Sequence, residues 1–229
     1  MSTLASELDE HSFAAGPDLQ TIQAEWTTLQ NPPAPKSIGS IHPLSIVLTL
    51  RGLVDDDTII ASDMGSLHIW MARHFLEFEP RKLLFSNGQQ TLGVGIPWAI
   101  AASLIYPDKK VVATVGDGGF LYSSMELETA VRQKLNITVL IFRDGGYNMV
   151  AFQQELLYGR SSGTNFGNPD FVKYAESLGC VGLRVNTPDE LLPTMRKALD
   201  TPGMVVVDIP TDYSKNVEIG EHVIAEAWD

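Results

Sequence analysis

Two runs of this chain, VVATVGDGGF (residues 111–120) and ITVLIFRDGGYNMV (residues 137–150), constrain its fold more than any other feature. Each begins with an unbroken string of aliphatic and β-branched residues in which polar and apolar side chains do not alternate. Strands of that kind are buried on both faces, as in a parallel sheet sandwiched between helices. Similar short runs recur at 58–62, 82–85, 181–185 and 204–209, and most are separated by helical stretches. The pattern predicts an α/β fold, a doubly wound and mainly parallel six-stranded sheet with helices on both faces.

Helix starts are marked along the way. Ser123 and Glu126 stand at capping-box spacing and open a predicted helix over 123–135, which explains Glu126 without a catalytic role. Asn168-Pro169-Asp170 opens another that ends at Gly179, with Phe171, Ala175 and Leu178 on one face. Thr187-Pro188-Asp189-Glu190 opens a third, carrying Leu191, Met195 and Leu199. Residues 1–40 read differently: Gly16 and Pro32-Pro33-Ala34-Pro35 punctuate them, and only Leu19 to Leu29 looks helical. The expected organisation is a connector at 1–40, one domain at 41–215 and a tail at 216–229.

Charge narrows the partners. With 16 Lys and Arg against 28 Asp and Glu the net charge is −12, a field that repels nucleic acid and anionic membrane surfaces. The apolar run from Gly93 to Tyr106 is broken by Pro97 and falls short of the ~20 residues needed to span a bilayer. The opening MSTLASELDE has neither the basic nor the apolar region of a secretory leader. Cys180 is the single cysteine, read as buried and inert. These features point to a cytoplasmic protein.

Polar groups gather where predicted strands end: Asp63, Asn87, Gly116-Asp117 and Arg143-Asp144. Ligands of open α/β sheets bind outside the carboxyl ends of the strands. Asp117 and Asp144 are 27 residues apart, one helix-plus-strand unit, which puts both carboxylates at one sheet edge. Two such charges ~4 Å apart repel by about 4 kcal/mol at an effective dielectric near 20. A hard divalent cation reverses that sign, and Mg²⁺ keeps part of its shell for phosphate oxygens. Glycines at 116, 118 and 119 let backbone amides approach a phosphate closely. GDGG alone is equally readable as a tight turn; the pair at this spacing, each member directly after a core strand, favours the ligand site. Dinucleotide and P-loop fingerprints fail: Leu121 and Trp98 stand where a third glycine belongs, and GxxxxGK[ST] is absent.

GDGG followed by a strand ending in Asp and then GYN resembles the diphosphate-binding motif of thiamine diphosphate enzymes. The stretches SDMGSLHIW (62–70), SNGQQTLGVGIPWAI (86–100), GDGGFLYSSMELETAVR (116–132), DGGYNMVAFQQE (144–155) and NFGNPDFVKYAESLG (165–179) look like the catabolic, FAD-independent acetolactate synthases. The resemblance covers roughly residues 40–215 and implies the carboxyl-terminal, diphosphate-binding domain of a three-domain enzyme. Leu19–Leu29 is then a remnant of the middle domain.

Residue by residue, the resemblance makes Asp117, Asp144 and the Gly146 carbonyl ligands of Mg²⁺. It places Gly65, Ser66, His68, Gly116, Gly118, Gly119, Tyr147 and Asn148 around the diphosphate, and Met64 and Met149 against the cofactor. Gln90 falls near the aminopyrimidine, and Leu92 takes the place of the bulky residue, Met in close relatives, that holds the cofactor bent. Val150 and Gln153 line the substrate side. Phe152-Gln153-Gln154-Glu155 replaces the Trp-containing pattern of the FAD-dependent branch, so no FAD is expected. Read without the resemblance, His68 is a locally satisfied helix residue, Met64 and Trp70 pack, Ile96 to Leu104 is core, and Arg143 makes a surface ion pair.

The implied activity is that of a transferase joining two pyruvate molecules to 2-acetolactate with loss of CO₂. The glutamate that activates the aminopyrimidine belongs to the family's amino-terminal pyrimidine domain, so no catalytic acid or base is assigned here. Activity is expected to need that domain, with oligomers built over exposed apolar surface. Two alternatives stay open: another thiamine diphosphate-dependent 2-keto-acid decarboxylase, carboligase or oxidase, and a non-catalytic cofactor-binding module.

Overall fold

A computed structural model describes residues 39–216. The 1–40 connector falls outside them except for its last two residues, as does the 216–229 tail beyond Asn216.

The elements run α1 (Pro43–Leu53), β1 (Ile59–Ser62), α2 (Ser66–His74), β2 (Leu83–Phe85), α3 (Gly95–Ile105), β3 (Val111–Gly116), α4 (Asp117–Ser123), α5 (Glu126–Arg132), β4 (Ile137–Arg143), α6 (Asn148–Tyr158), α7 (Phe171–Ser177), β5 (Val181–Arg184), α8 (Leu191–Asp200) and β6 (Met204–Pro210). A single 3-10 turn, Pro188–Glu190, precedes α8. Six strands pair in parallel in the order β2-β1-β3-β4-β6-β5. All six expected runs are strands.

Unbroken apolar runs are explained by what covers the two faces. Side chains alternate across a pleated strand, so each buried strand feeds two cores. Ile60, Val112, Leu140, Phe142, Val205 and Val207 point to one, shared with Leu50 of α1, Leu67 and Met71 of α2 and Met195 of α8. Ile59, Ala61, Ala113, Val115, Val139, Ile141 and Val206 point to the other, with Ile96 of α3, Leu127 of α5 and Phe171 of α7. The sheet is doubly wound.

Helix boundaries show which local signals prevailed. Asp170 caps α7, its Oδ1 accepting from the Lys173 amide at 3.4 Å. The capping box expected at Ser123 does not form. Ser123 closes α4 instead, its hydroxyl buried without a hydrogen-bond partner among the described residues, and α5 starts at Glu126 after Met125. The helix begun by GDGG runs on through the position where a new cap was expected. Ile96 to Leu104 is core on one side only: Ile96 and Ala99 are buried, whereas Leu104 is 56% exposed. Arg143 pairs inward, its Nε 2.6 Å from the carboxylate of Asp208, which is 1% exposed and also takes Nε of Arg184 at 2.8 Å. Cys180 is buried, and burial pushes its thiol up to about 11.

The chain leaves β1 for β2 on one side and returns to β3 on the other. That reversal opens a crevice at the carboxyl ends of β1, β3 and β4, the position where open α/β sheets bind ligands.

Candidate active site

A cleft of about 220 Å³ occupies that crevice. Met64, Gly65, Ser66 and Leu67 line it from β1 and the start of α2, and Gln90 and Leu92 from the segment before α3. Gly116, Asp117, Gly118 and Gly119 come from β3 and α4, and Phe142, Asp144, Gly146, Tyr147, Asn148, Met149 and Val150 from β4 and α6. The neighbouring parallel register of β3 and β4 (Gly116 opposite Phe142) sets the two acidic loops side by side.

Both carboxylates face this cleft, but in different states. Asp117 is 1% exposed and well supplied with donors. Its Oδ1 accepts from the Gly118 amide at 2.9 Å, and its Oδ2 from the Asp144 amide at 3.1 Å, the Gly145 amide at 2.7 Å and Asn168 Nδ2 at 2.7 Å. Burial, and then the negative Asp117 beside it, push the Asp144 carboxyl up to about 7, while the Gly146 amide and the Asn148 side chain pull it back. Desolvation therefore outweighs the mutual repulsion considered above, and a bound cation relieves both.

Asn148 is oriented by its neighbours. Its Oδ1 accepts from Ser66 Oγ at 2.7 Å and from Asn216 Nδ2 at 2.8 Å, and Asn216 Oδ1 in turn accepts from Trp70 Nε1 at 2.9 Å. That leaves the Asn148 amide group to donate towards Asp144. The loop between β4 and α6 is fastened from outside: Tyr147 N donates to Thr164 O at 2.8 Å and Phe166 N to Gly145 O at 3.1 Å.

The cleft suits a phosphorylated ligand. Helices α2 and α6 both start at its wall, and neither cap residue, Gly65 or Tyr147, makes a side-chain capping bond. Helix starts with free amides attract anions. A Cβ on Gly118 would lie 2.7 Å from Tyr147 Cε1, and one on Gly119 would lie 2.7 Å from Asp63 Oδ2, so only glycine lets α4 pack this closely. No group of three or more His, Cys, Asp or Glu side chains is placed to hold a metal among the described residues. A cation at Asp117 and Asp144 therefore needs further oxygens from the backbone and from its ligand, as Mg²⁺ on a diphosphate does.

Of the site residues implied by the resemblance, all but two line this cleft. His68 turns into α2's packing, edge-on to Phe85 at a centroid distance of 4.5 Å, and burial pushes its imidazole down. Gln153, about a turn and a half into α6, is exposed and outside the lining. Three lining residues were missed: Leu67, Phe142 and Tyr213. Leu67 and Phe142 read as ordinary core. Tyr213 lies after β6, 6% exposed, and its hydroxyl has no hydrogen-bond partner among the described residues. Its position just past a strand's carboxyl end was the available signal. Asn168, read as a helix opener, is also a donor to Asp117.

Comparison with known proteins points the same way. Residues 63–209 match the family model for the C-terminal TPP-binding domain of thiamine pyrophosphate enzymes. The chain is 53% identical over 178 residues to an acetolactate synthase of Bacillus subtilis (strain 168), covering 78% of this chain and 31% of that protein. It is 51% identical over 177 residues to a catabolic acetolactate synthase of Raoultella terrigena, covering 77% and 32%. An acetolactate synthase large subunit of Haemophilus influenzae is 32% identical over 216 residues, covering 92% and 38%. The chain spans about a third of the length of the curated relatives it matches.

Proposed function

The chain belongs to the thiamine pyrophosphate enzymes, of which it carries the C-terminal TPP-binding domain, and from that premise we propose that it supplies the diphosphate-holding half of an acetolactate synthase active site. The observation that carries this reading is the convergence of Asp117 and Asp144 on one cleft walled by two helix starts and the glycines of α4. In the proposed complex these carboxylates and the Gly146 carbonyl hold Mg²⁺. A diphosphate bound there would meet Gly116, Gly118, Gly119, Ser66, Tyr147 and Asn148, which line the same cleft. Gln90, Leu92, Met64 and Met149 face the organic part, and Val150 the substrate. His68 and Gln153 lie outside the wall of this cleft.

When bound, thiamine diphosphate supplies the nucleophilic carbon and electron sink for decarboxylating a 2-keto acid and passing the remaining acyl unit to a second one. The protein's part is to bind, orient and exclude water. Burial and the neighbouring Asp117 push the Asp144 carboxyl up to about 7, and a divalent cation held there would favour its charged form. The apolar wall of Met64, Leu67, Leu92, Phe142 and Met149 keeps the environment dry. Pyruvate is the proposed substrate and 2-acetolactate the product, after the relatives named acetolactate synthase.

A cleft of about 220 Å³ is smaller than the ~300–1,000 Å³ typical of sites for drug-sized molecules, which favours a second surface that completes the site. Exposed apolar side chains offer places for it: Leu104, Ile105 and Tyr106 at the end of α3, Tyr122 and Met125 around α4, and Leu157 and Tyr158 at the end of α6. The proposed partner is a pyrimidine-binding domain, from the same polypeptide or another, within an oligomer in the cytoplasm. Residues 41–215 are the proposed domain and 1–40 its link to a middle domain.

The test is complementation. The chain is mixed with a catabolic acetolactate synthase truncated before its matching third, together with Mg²⁺, thiamine diphosphate and pyruvate. Acetolactate formed only when both polypeptides are present supports the reading. Persistent inactivity of a mixture shown to assemble would overturn it.

A further inference from the structure

Asp63 is completely buried at the end of β1, yet it stands behind the cleft wall and not in it. Backbone amides meet its charge. Oδ1 accepts from Met64 N at 2.7 Å and Gly93 N at 3.1 Å, and Oδ2 accepts from Gly93 N at 3.0 Å. The amides of Val94 and Gly95, at the start of α3, also favour its ionised form against the burial that opposes it. A buried carboxylate is costly unless hydrogen-bonded, and the start of an eleven-residue helix is where free amides and the helix dipole suit a negative charge.

The bonds have a direction. They join β1 to the segment that ends in Gly93, and that segment carries Gln90 and Leu92 into the cleft. Gln90 holds a left-handed backbone, φ 52°, which side-chain-bearing residues keep only when their surroundings impose it. Towards α4 the same carboxylate closely approaches Gly119, where an added Cβ would lie 2.7 Å from its Oδ2.

We propose that Asp63 is a positioning residue: its carboxylate clamps the Gln90–Gly93 segment to β1, so that Gln90 and Leu92 are held for the organic half of the cofactor while Asp117 and Asp144 anchor the diphosphate. This rests on the function proposed above. The two halves are separable in solution, because inorganic pyrophosphate tests the anchor alone and thiamine diphosphate tests the anchor and the clamped segment together.

The experiment compares the full chain with Asp63→Asn, which keeps shape but turns an amide towards the Gly93 donor. Hydrogen exchange is expected to rise about tenfold or more at Gly93–Gly95 and to stay unchanged in β3 and β4. With Mg²⁺ present, pyrophosphate should bind within about twofold of the original chain, whereas thiamine diphosphate should bind about tenfold more weakly. Unchanged exchange at Gly93, or equal weakening of both ligands, overturns the proposal. If Asp63→Asn does not fold, the unaltered chain decides: a Gly93 amide protected above those of 88–91 supports the clamp, and equal exchange refutes it. If the unaltered chain binds neither ligand, the proposed function fails, and the exchange data still judge the clamp.

Discussion

Asp117 takes the backbone amide of Asp144 on its Oδ2 at 3.1 Å, so one acidic residue fixes the position of the other. The same oxygen holds Gly145 N and Asn168 Nδ2, and Oδ1 holds Gly118 N. The pair is thus asymmetric: Asp117 is part of the scaffold, and Asp144 carries the carboxyl that resists ionisation. Replacing Asp117 by Ala strands several donors, each worth about 1–3 kcal/mol when buried unpaired. Asp117→Ala should therefore lower unfolding stability by at least about 2 kcal/mol in chelator, on the same principle. Asp144→Ala should leave the metal-free chain as stable, or more so above pH 7. Denaturant unfolding of both variants at pH 8 measures the contrast.

His74 sets a pH dependence away from the cleft. It is 4% exposed, stacks on Trp70 at 5.6 Å, and burial, with the charges of Arg73 and His42 adding to it, lowers its imidazole to about 4. The folded form thus binds its proton later than the unfolded chain, whose histidines titrate near 6.5. The stability it confers is complete above that value and drains away as pH falls towards 4. Burial lowers His42 and His68 as well. Thermal midpoints should fall across pH 6.5 to 4, and His74→Phe should flatten the slope.

Gly118 and Tyr147 are expected to be energetically coupled. Alanine at 118 would drive its methyl to 2.7 Å from the Tyr147 ring and push the loop that carries Asp144 and Gly146. Gly118→Ala should cost about 1–3 kcal/mol, the usual range for overpacking. Tyr147→Ala in the same chain should recover most of it. A double-mutant cycle by chemical denaturation reads the coupling.

Tyr213 carries a buried hydroxyl without a partner among the described residues. Removing an unpaired polar group costs nothing and relieves desolvation, so Tyr213→Phe should stabilise the cofactor-free chain by about 1 kcal/mol. A thermal midpoint below that of the original chain would contradict this.

The sheet was readable because its strands are buried on both faces. VVATV and ITVLIF, apolar on both faces, suit neighbouring strands of a parallel, helix-covered sheet, and β3 and β4 end where Gly116 and Asp144 indicated. The juxtaposition of the two acidic loops followed, since parallel register carries strand ends together. What sequence could not show is how side chains share space across the fold. Asp63 looked like one more polar group at a strand end, yet three-dimensional packing turns it away from the cleft to amides some thirty residues on. Tyr213 is distant in sequence from every motif and reaches the cleft only because β6 lies next to β4. His68 and Gln153 are close to motif residues in the chain but lie outside the lining of this cleft. The Ser123 capping box failed because a local pattern is overruled when the preceding helix continues through it.

The central claim is that Asp144, positioned by Asp117, holds a magnesium ion on which a diphosphate depends. Calorimetric titration of thiamine diphosphate into the full chain, with Mg²⁺ and with chelator, and into Asp144→Ala with Mg²⁺, tests it most directly. The account predicts saturable binding by the unaltered chain with Mg²⁺ and loss of that binding in the other two titrations. Equal affinity in all three would contradict it.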